Sequence, residues 1–352
     1  MMEINLLGRE FKGLLGWHQA RMTLLAQFVL ALIKVRTVNL TQVAQAFAGS
    51  AKTDCNYKRL QRFLRAIPPN RDLFAKTRTR LFCPEETWVL SMDRTNWKLG
   101  ITHINFLVLA VVRNDVAIPI LWSLLPKQGN SNTQERQRMM DHFIRLFGVE
   151  RITYLTADRE FRGRKWLRYL RHKNIPFCLR IPNNTKVLNK HANRAMTVSR
   201  LFSLRHGECM AIKKPREIWG TEVYLACVRS SMGRVVVISS DKPEQAIERY
   251  GRRWGIETLF GCVKTRGFDL EATHLRDPER LSMLFFVVTL TFGMCFKTGL
   301  WQHQRKSIGI KKHGRRAKSI FRTGLDVLRE ILLDLPSNVA RFFHAFRVLS
   351  CT

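Results

Sequence analysis

The chain of 352 residues is long enough for two or three domains, and its 45% hydrophobic content excludes wholesale disorder. Its 60 Lys and Arg stand against 27 Asp and Glu, a net charge of +33. That is far more than solubility requires; it repels itself in isolation and favours a polyanionic partner.

Residues 1–85 read as helical. Ala20 to Val35 is an apolar helix, and Asn39 is placed to cap a short one from Leu40 to Phe47. After a turn at Ala48-Gly49-Ser50, a helix from about Asp54 to Ala66 is expected to show Asn56, Tyr57, Lys58, Arg59 and Arg62 outward. Two readings stand: a helix-turn-helix whose second helix reads a groove, or a small bundle with a basic face. Either one puts Lys58, Arg59 and Arg62 against phosphates, and only the first gives Asn56 a base to read. Pro68-Pro69 closes the unit.

From Thr87 the period changes. Trp88 to Asp93, Ile101 to Val112 and Val116 to Leu125 read as three consecutive strands, with Arg113-Asn114-Asp115 as a hairpin turn. A helix over Gln134–Phe147, a strand over Ile152–Ala157, a helix over Arg162–Lys173 and a strand over Pro176–Ile181 follow. Residues 182–242 hold three strand-like runs, Glu208–Lys213, Glu222–Arg229 and Arg234–Ser239, and read as a β-rich insertion.

Pro243 is expected to start a long helix. It carries Tyr250, Arg253, Glu257 and Lys264, at offsets that fall on one helical face. A carboxylate there can hold a divalent metal, and Arg and Lys can grip phosphate oxygens. Two further aspartates, Asp93 and Asp158, sit at strand ends. A lone aspartate in such a place is more often a turn or helix cap than a ligand. Asp115, Glu135 and Asp141 lie in a turn and on a helix, and Glu160 reads as a supporting group.

Leu281 to Phe296 has no charged residue, but it is shorter than the roughly 20 apolar residues a membrane span needs and reads as a buried core helix. Arg305 to Arg322 holds eight Lys and Arg and no acid, and reads as a solvated face, a DNA-backbone contact or a disordered arm. Leu325 to Phe346 reads as a terminal amphipathic helix. The eight cysteines are scattered without a CxxC pair, which argues against a zinc ribbon or disulfide framework and for a reducing cytoplasm. The first residues lack the signal-peptide pattern, and no membrane partner is expected.

The Tyr250, Arg253, Glu257, Lys264 pattern resembles the Y-R-E-K signature of bacterial insertion-sequence transposases of the cut-and-paste DDE group. The segments Ser91-Met-Asp93-Arg-Thr-Asn-Trp, Leu155-Thr-Ala-Asp158-Arg-Glu-Phe and Gly129-Asn130-Ser131 are similar to that group too. The resemblance implies an α/β fold with an RNase H-like mixed-sheet core over 86–181 and 243–300. The β-rich insertion is then 182–242, the helical DNA-binding domain 1–85 and the basic helical C-terminal region 301–352.

It also implies a triad of Asp93, Asp158 and Glu257 holding two Mg²⁺ ions, with Mn²⁺ as a substitute. Tyr250, Arg253 and Lys264 would contact DNA phosphates. Trp254 would hold an extruded base, although a core Trp is an equal reading, and Trp219 is a further stacking candidate. The implied reaction cuts at the element's ends, passes through a hairpin and joins the 3′-ends to target DNA. The implied partners are double-stranded DNA, as terminal inverted repeats and target, and a second copy in a homodimer. The implied location is the bacterial cytoplasm, with the nucleoid. Two alternatives remain open: an RNase H-like nuclease or resolvase that does not join strands, and an inactive DNA-binding regulator.

Overall fold

A computed structural model describes residues 2–66, 70–189, 194–231, 233–312, 314 and 316–350. Pro68-Pro69, Arg315 and Cys351 lie outside them. The elements in chain order begin with α1 (Met2–Leu15), α2 (Gln19–Val35), α3 (Leu40–Gln45), α4 (Thr53–Ala66) and α5 (Arg71–Phe82). Next come β1 (Trp88–Leu99), β2 (Thr102–Arg113), β3 (Val116–Leu124), α6 (Thr133–Phe147), β4 (Ile152–Ala157), α7 (Arg164–His172) and β5 (Phe177–Ile181). Then follow β6 (Lys186–Asn189), β7 (Arg194–Thr197), β8 (Cys209–Ile218), β9 (Thr221–Ser230) and β10 (Gly233–Ser239). The chain continues through α8 (Ala246–Gly251), α9 (Trp254–Val263), α10 (Pro278–Arg305), α11 (Ile320–Leu333) and α12 (Val339–Ser350).

These elements divide into two compact units. The sheet unit comprises Glu85–Asn96 and Asn105–Thr258. The helical unit comprises Met1–Pro84, Trp97–Ile104 and Leu259–Thr352, so β1, β2 and α9 are each shared between the two.

In the sheet unit, eight strands follow the order β3-β2-β1-β4-β5-β10-β9-β8. The apolar runs of β2 and β3 form a hairpin whose turn, Asn114-Asp115, has positive φ at both positions (47° and 64°), as a two-residue hairpin loop demands. β1 pairs β4 in parallel, and β4 pairs β5 in parallel across the α7 crossover, which buries Trp166, Leu167 and Leu170. This βββαβαβ order is the RNase H-like arrangement that the sequence pattern implied.

Residues 182–242 are strand-rich, as expected, but they extend the same sheet. β10 pairs β5 antiparallel, and β9 and β8 continue outward. Pro215 falls at the register shift on β8, an edge strand where a missing N–H is tolerated. β6 and β7 form a separate two-stranded ribbon.

In the helical unit, Asn39 caps α3 by accepting from the amides of Thr41 and Gln42. α10 begins at an Asp277 cap followed by Pro278, and every residue from Leu281 to Phe296 is buried. It is long and apolar enough to cross a membrane, yet 89% of its most apolar window lies inside the protein. Gly299 and Gly324 let α10 and α11 touch backbone to backbone: a Cβ on Gly324 would stand 1.8 Å from the Cys295 carbonyl. The expected single terminal helix is two, because Pro336 starts a 3-10 turn over Pro336–Asn338 that separates α11 from α12.

Candidate active site

The site is set first by strand register. Met92 on β1 is paired with Ala157 on β4. Asp93, midway along β1, and Asp158, just past the end of β4, follow these two residues directly, so the two carboxylates leave neighbouring parallel strands at the same level; the strand expected to end at Asp93 runs on to Leu99. Asp158 thus stands at the carboxyl end of β4, the end of an α/β sheet where ligands bind.

The third carboxylate arrives from a different element. The expected long helix from Pro243 is instead a 3-10 turn over Pro243–Gln245, then α8, a tight turn at Arg252-Arg253, and α9. The turn is held by short-range bonds from the amide of Arg253 to Tyr250 O and from that of Gly255 to Arg252 O. Tyr250 and Glu257 therefore lie on two helices rather than on one face. Tyr250 packs with Val89, Tyr154, Cys178, Ala226, Val237 and Ala246, which seats α8 on the sheet. Gly255 lets the first turn of α9 approach the β2–β3 hairpin, since a Cβ there would meet the Val116 carbonyl carbon at 3.1 Å.

Arg253 joins these parts. Its guanidinium is only 4% exposed and donates through Nη1 to Asp93 Oδ2 at 3.3 Å. Nη2 donates to Glu257 Oε1 at 2.6 Å, and Nε to the Tyr250 hydroxyl at 3.1 Å. The Tyr250 hydroxyl in turn donates to Asp158 Oδ1 at 3.1 Å. The structure thus brings Asp93, Asp158, Glu257, Tyr250 and Arg253 into one bonded network. Trp254, next in the chain, is 60% exposed beside the Arg253 guanidinium and is not a core residue.

The electrostatics follow from this packing. Burial pushes the Asp93 carboxyl up to about 7, against the Arg94 amide and Arg253, with Glu160 and Asp158 adding to the rise. At Asp158 burial acts in the same direction, but the Arg159 amide, Arg253 and Arg180 outweigh it and hold the carboxyl below its ordinary value. Burial raises the Tyr250 phenol to about 12. Burial works against the Arg253 charge, but Tyr250, Glu257 and Asp158 overcome it and keep the guanidinium protonated.

A second network supports the segments that carry the two aspartates. Arg94 grips Glu160 with two nitrogens, Nε to Oε1 at 2.8 Å and Nη2 to Oε2 at 2.9 Å. It also donates to Asn105 Oδ1 and Asn130 Oδ1. Asn105 holds the carbonyls of Lys127 and Gly129, and Ser131 bonds Glu160 and receives Arg136. Glu160 is therefore a supporting group, as its position after Asp158 implied. Arg94 and Asn105 were not singled out, although a lone amide before the apolar run Phe106–Val112 marks Asn105 as a buried polar anchor.

The remaining candidates lie elsewhere. Lys264, just past α9 in the helical unit, pairs with Glu271 at 2.7 Å and sits over the Trp97 ring. Trp219 is at the β8–β9 hairpin tip with φ of 51°. On α4, Lys58 and Arg62 are exposed, but Asn56 is only 4% exposed, not outward. It shares the inner face with Leu60, Phe63 and Leu64, at helical spacing, and donates to Ala51 O. Arg59 donates to Asn56 and to Gln27.

Residues 84–292 match the family described as the Transposase DDE domain. The match covers more than half the chain, and the chain belongs to that family: it is a DDE transposase. Among solved structures the chain is similar to a piggyBac transposase synaptic complex with hairpin DNA. That likeness has 10% identity and a TM-score of 0.45, over 97% of this chain and 83% of that one. It is also similar to the simian T-cell lymphotropic virus intasome in complex with PP2A regulatory subunit B56 gamma. There the identity is 12% and the TM-score 0.24, over 50% of this chain and 52% of that one. No curated protein sequence matches it.

In chemistry the three carboxylates Asp93, Asp158 and Glu257 are donors suited to a hard divalent cation, and in the structure the Arg253 guanidinium bridges Asp93 and Glu257. Among the described residues no three metal-ligating side chains stand close enough together to hold an ion. Arg253 lies between two of the three carboxylates.

Proposed function

We propose that this transposase cuts double-stranded DNA at the ends of an insertion sequence and joins the freed 3′-ends to target DNA, with Asp93, Asp158 and Glu257 as the catalytic carboxylates. The observation that carries the reading is the pairing of Met92 with Ala157, which sets two aspartates side by side, with Glu257 tied to Asp93 through Arg253. The three carboxylates would hold two Mg²⁺ ions, or Mn²⁺. Bound there, the ions supply an activated hydroxyl nucleophile and charge stabilisation of the leaving oxygen.

The chain's own residues do the rest. Tyr250 orients Asp158, and Arg253 orients Asp93 and Glu257. By the family resemblance Arg253 and Lys264 would contact the phosphates of the terminal nucleotides once DNA draws them from Glu257 and Glu271, and exposed Trp254 offers a stacking face for an extruded base. The order of steps follows the family resemblance. Water attacks at the element's end and frees a 3′-hydroxyl, which attacks the opposite strand to leave a hairpin. A second water opens the hairpin, and the 3′-ends then attack target DNA. Two ends must be held together, so a homodimer on DNA is the working assembly.

The test is a cleavage assay on pre-paired oligonucleotide duplexes carrying the DNA that flanks the coding sequence. Wild type and Glu257→Ala are compared with Mg²⁺ and with chelator. Hairpin-ended product that needs both Mg²⁺ and Glu257 supports the reading. Cleavage without joining would assign a nuclease or resolvase, and binding without cleavage a regulator.

A further inference from the structure

Among the described residues, one group of basic residues in the helical unit has no acidic partner. Lys58, Gln61, Arg62 and Arg65 occupy one exposed face of α4, at spacings of three, four and seven residues. Arg280 joins them from the first turn of α10, and the five line a cavity of about 440 Å³. None of the five lining residues is acidic. Among the described residues none of the four cations forms an ion pair; Arg62 makes one long bond, from Nε to the Lys58 carbonyl at 3.4 Å.

A solvated basic face needs neither a concave shape nor a second element. Here α10 supplies Arg280, half-buried, and Asp277 fixes its turn by accepting from its amide at 2.9 Å. Four like charges around one cavity repel one another unless a polyanion neutralises them. Two of the groups on α4 suited to reading base edges, Asn56 and Arg59, are engaged within the protein. Asn56 is buried against the Ala51 carbonyl, and Arg59 is held by Asn56 and Gln27. Toward the cavity α4 presents three cations and one amide, and the cations suit phosphate contact.

We propose that the α4–α10 cleft is a sequence-independent grip on the phosphate backbone of double-stranded DNA, formed by Lys58, Arg62, Arg65 and Arg280, and that α4 reads no bases. The proposal rests on DNA being the substrate. It replaces the groove-reading helix with a clamp that holds any duplex in place while sequence is read elsewhere. It also adds Arg65 and Arg280 to the contact set.

The test measures binding of the full chain to two labelled duplexes of equal length over a salt series. One duplex carries the DNA flanking the coding sequence, and the other is a scrambled sequence of the same composition. For the double variant Arg62→Gln/Arg280→Gln the slope of log K against log salt falls by about 2, since each phosphate contact contributes about 0.9. Affinity falls by the same factor on both duplexes. The single variant Lys58→Gln, on the exposed face of α4, lowers the slope by about 1 and serves if the double variant does not fold. A loss confined to the flanking duplex overturns the proposal in favour of base reading. An unchanged slope in both variants overturns it outright. Wild type that shows the slope changes but never cleaves leaves the grip standing and removes the transposition reading. Wild type that cleaves while the variants' slopes stay fixed removes the grip alone.

Discussion

Arg253 and Arg280 are arginines in opposite circumstances. Arg253 is buried and shared among Asp93, Glu257 and Tyr250. Arg280 lies at the rim of a cavity with three other cations and no carboxylate. The difference teaches how to sort the charges of a chain with a net charge of +33. A cation enclosed by acids organises the protein, and a cation left among cations is waiting for something anionic. Buried pairs are strongly destabilising to break from one side, whereas solvated cations contribute little to folding.

The comparison is sharpened most by Arg253→Ala, which leaves Asp93 buried without its counter-cation. A loss of about 3 kcal/mol of stability is expected in denaturant unfolding, most of it from Asp93, because Glu257 is more open to solvent screening. An unchanged midpoint would mean that Arg253 is not structural. Next is the support network: Glu160→Gln removes the charge that Arg94 grips, and about 2 kcal/mol should be lost. A double-mutant cycle with Arg94→Ala should show that the two losses do not add. Tyr250→Phe removes one hydroxyl that both donates to Asp158 and accepts from Arg253; about 1 kcal/mol is expected, with the fold intact.

An exposed pair supplies the middle case. Burial opposes ionisation of Asp326, but Lys318 and Arg322 outweigh it and hold the carboxyl below its ordinary value. A folded pKa below the unfolded one contributes stability above about pH 4 and loses it as the pH falls through the folded value. Asp326→Asn should therefore cost about 0.5 kcal/mol at neutral pH and nothing in acid, by paired melts at the two pH values. Smallest of all is Arg280→Gln, whose melting midpoint should correspond to a change within about 0.5 kcal/mol of zero. A large drop there would break the distinction, because it would make Arg280 a structural cation like Arg253.

Much of the catalytic half was legible before any coordinates. The strands of the core, the Asn114-Asp115 turn and Asp158 at the end of β4 follow from period-2 apolar runs and turn chemistry, which are local properties; that β1 continues past Asp93 to Leu99 does not. The break between Tyr250 and Glu257 was not legible. Offsets of three and seven fit one helix, and the turn at Arg252-Arg253 is closed by backbone bonds that leave only glycines at 251 and 255 as a hint. Asn56 was misplaced for a related reason: a polar side chain on an apolar face looks outward until its backbone partner, Ala51, is known. Nor could strand spacing reveal that β8–β10 would extend the main sheet, because the pairing of β10 with β5 is non-local.

The register that joins Met92 to Ala157 has a consequence for how this chain can drift. The gap between the two aspartates is fixed by a ladder of backbone bonds and owes nothing to the length of chain between them. Insertions in the Asn114-Asp115 turn or in the loop before α6 lengthen a connection, and each doubling of a loop costs only about 0.6 kcal/mol. A single residue added inside β1 or β4 would slide one carboxylate off level and turn it to the opposite face of the sheet. Tolerance to insertion should therefore fall abruptly, within a residue or two, where the paired stretch Trp88–Met92 of β1 and Ile152–Ala157 of β4 begins.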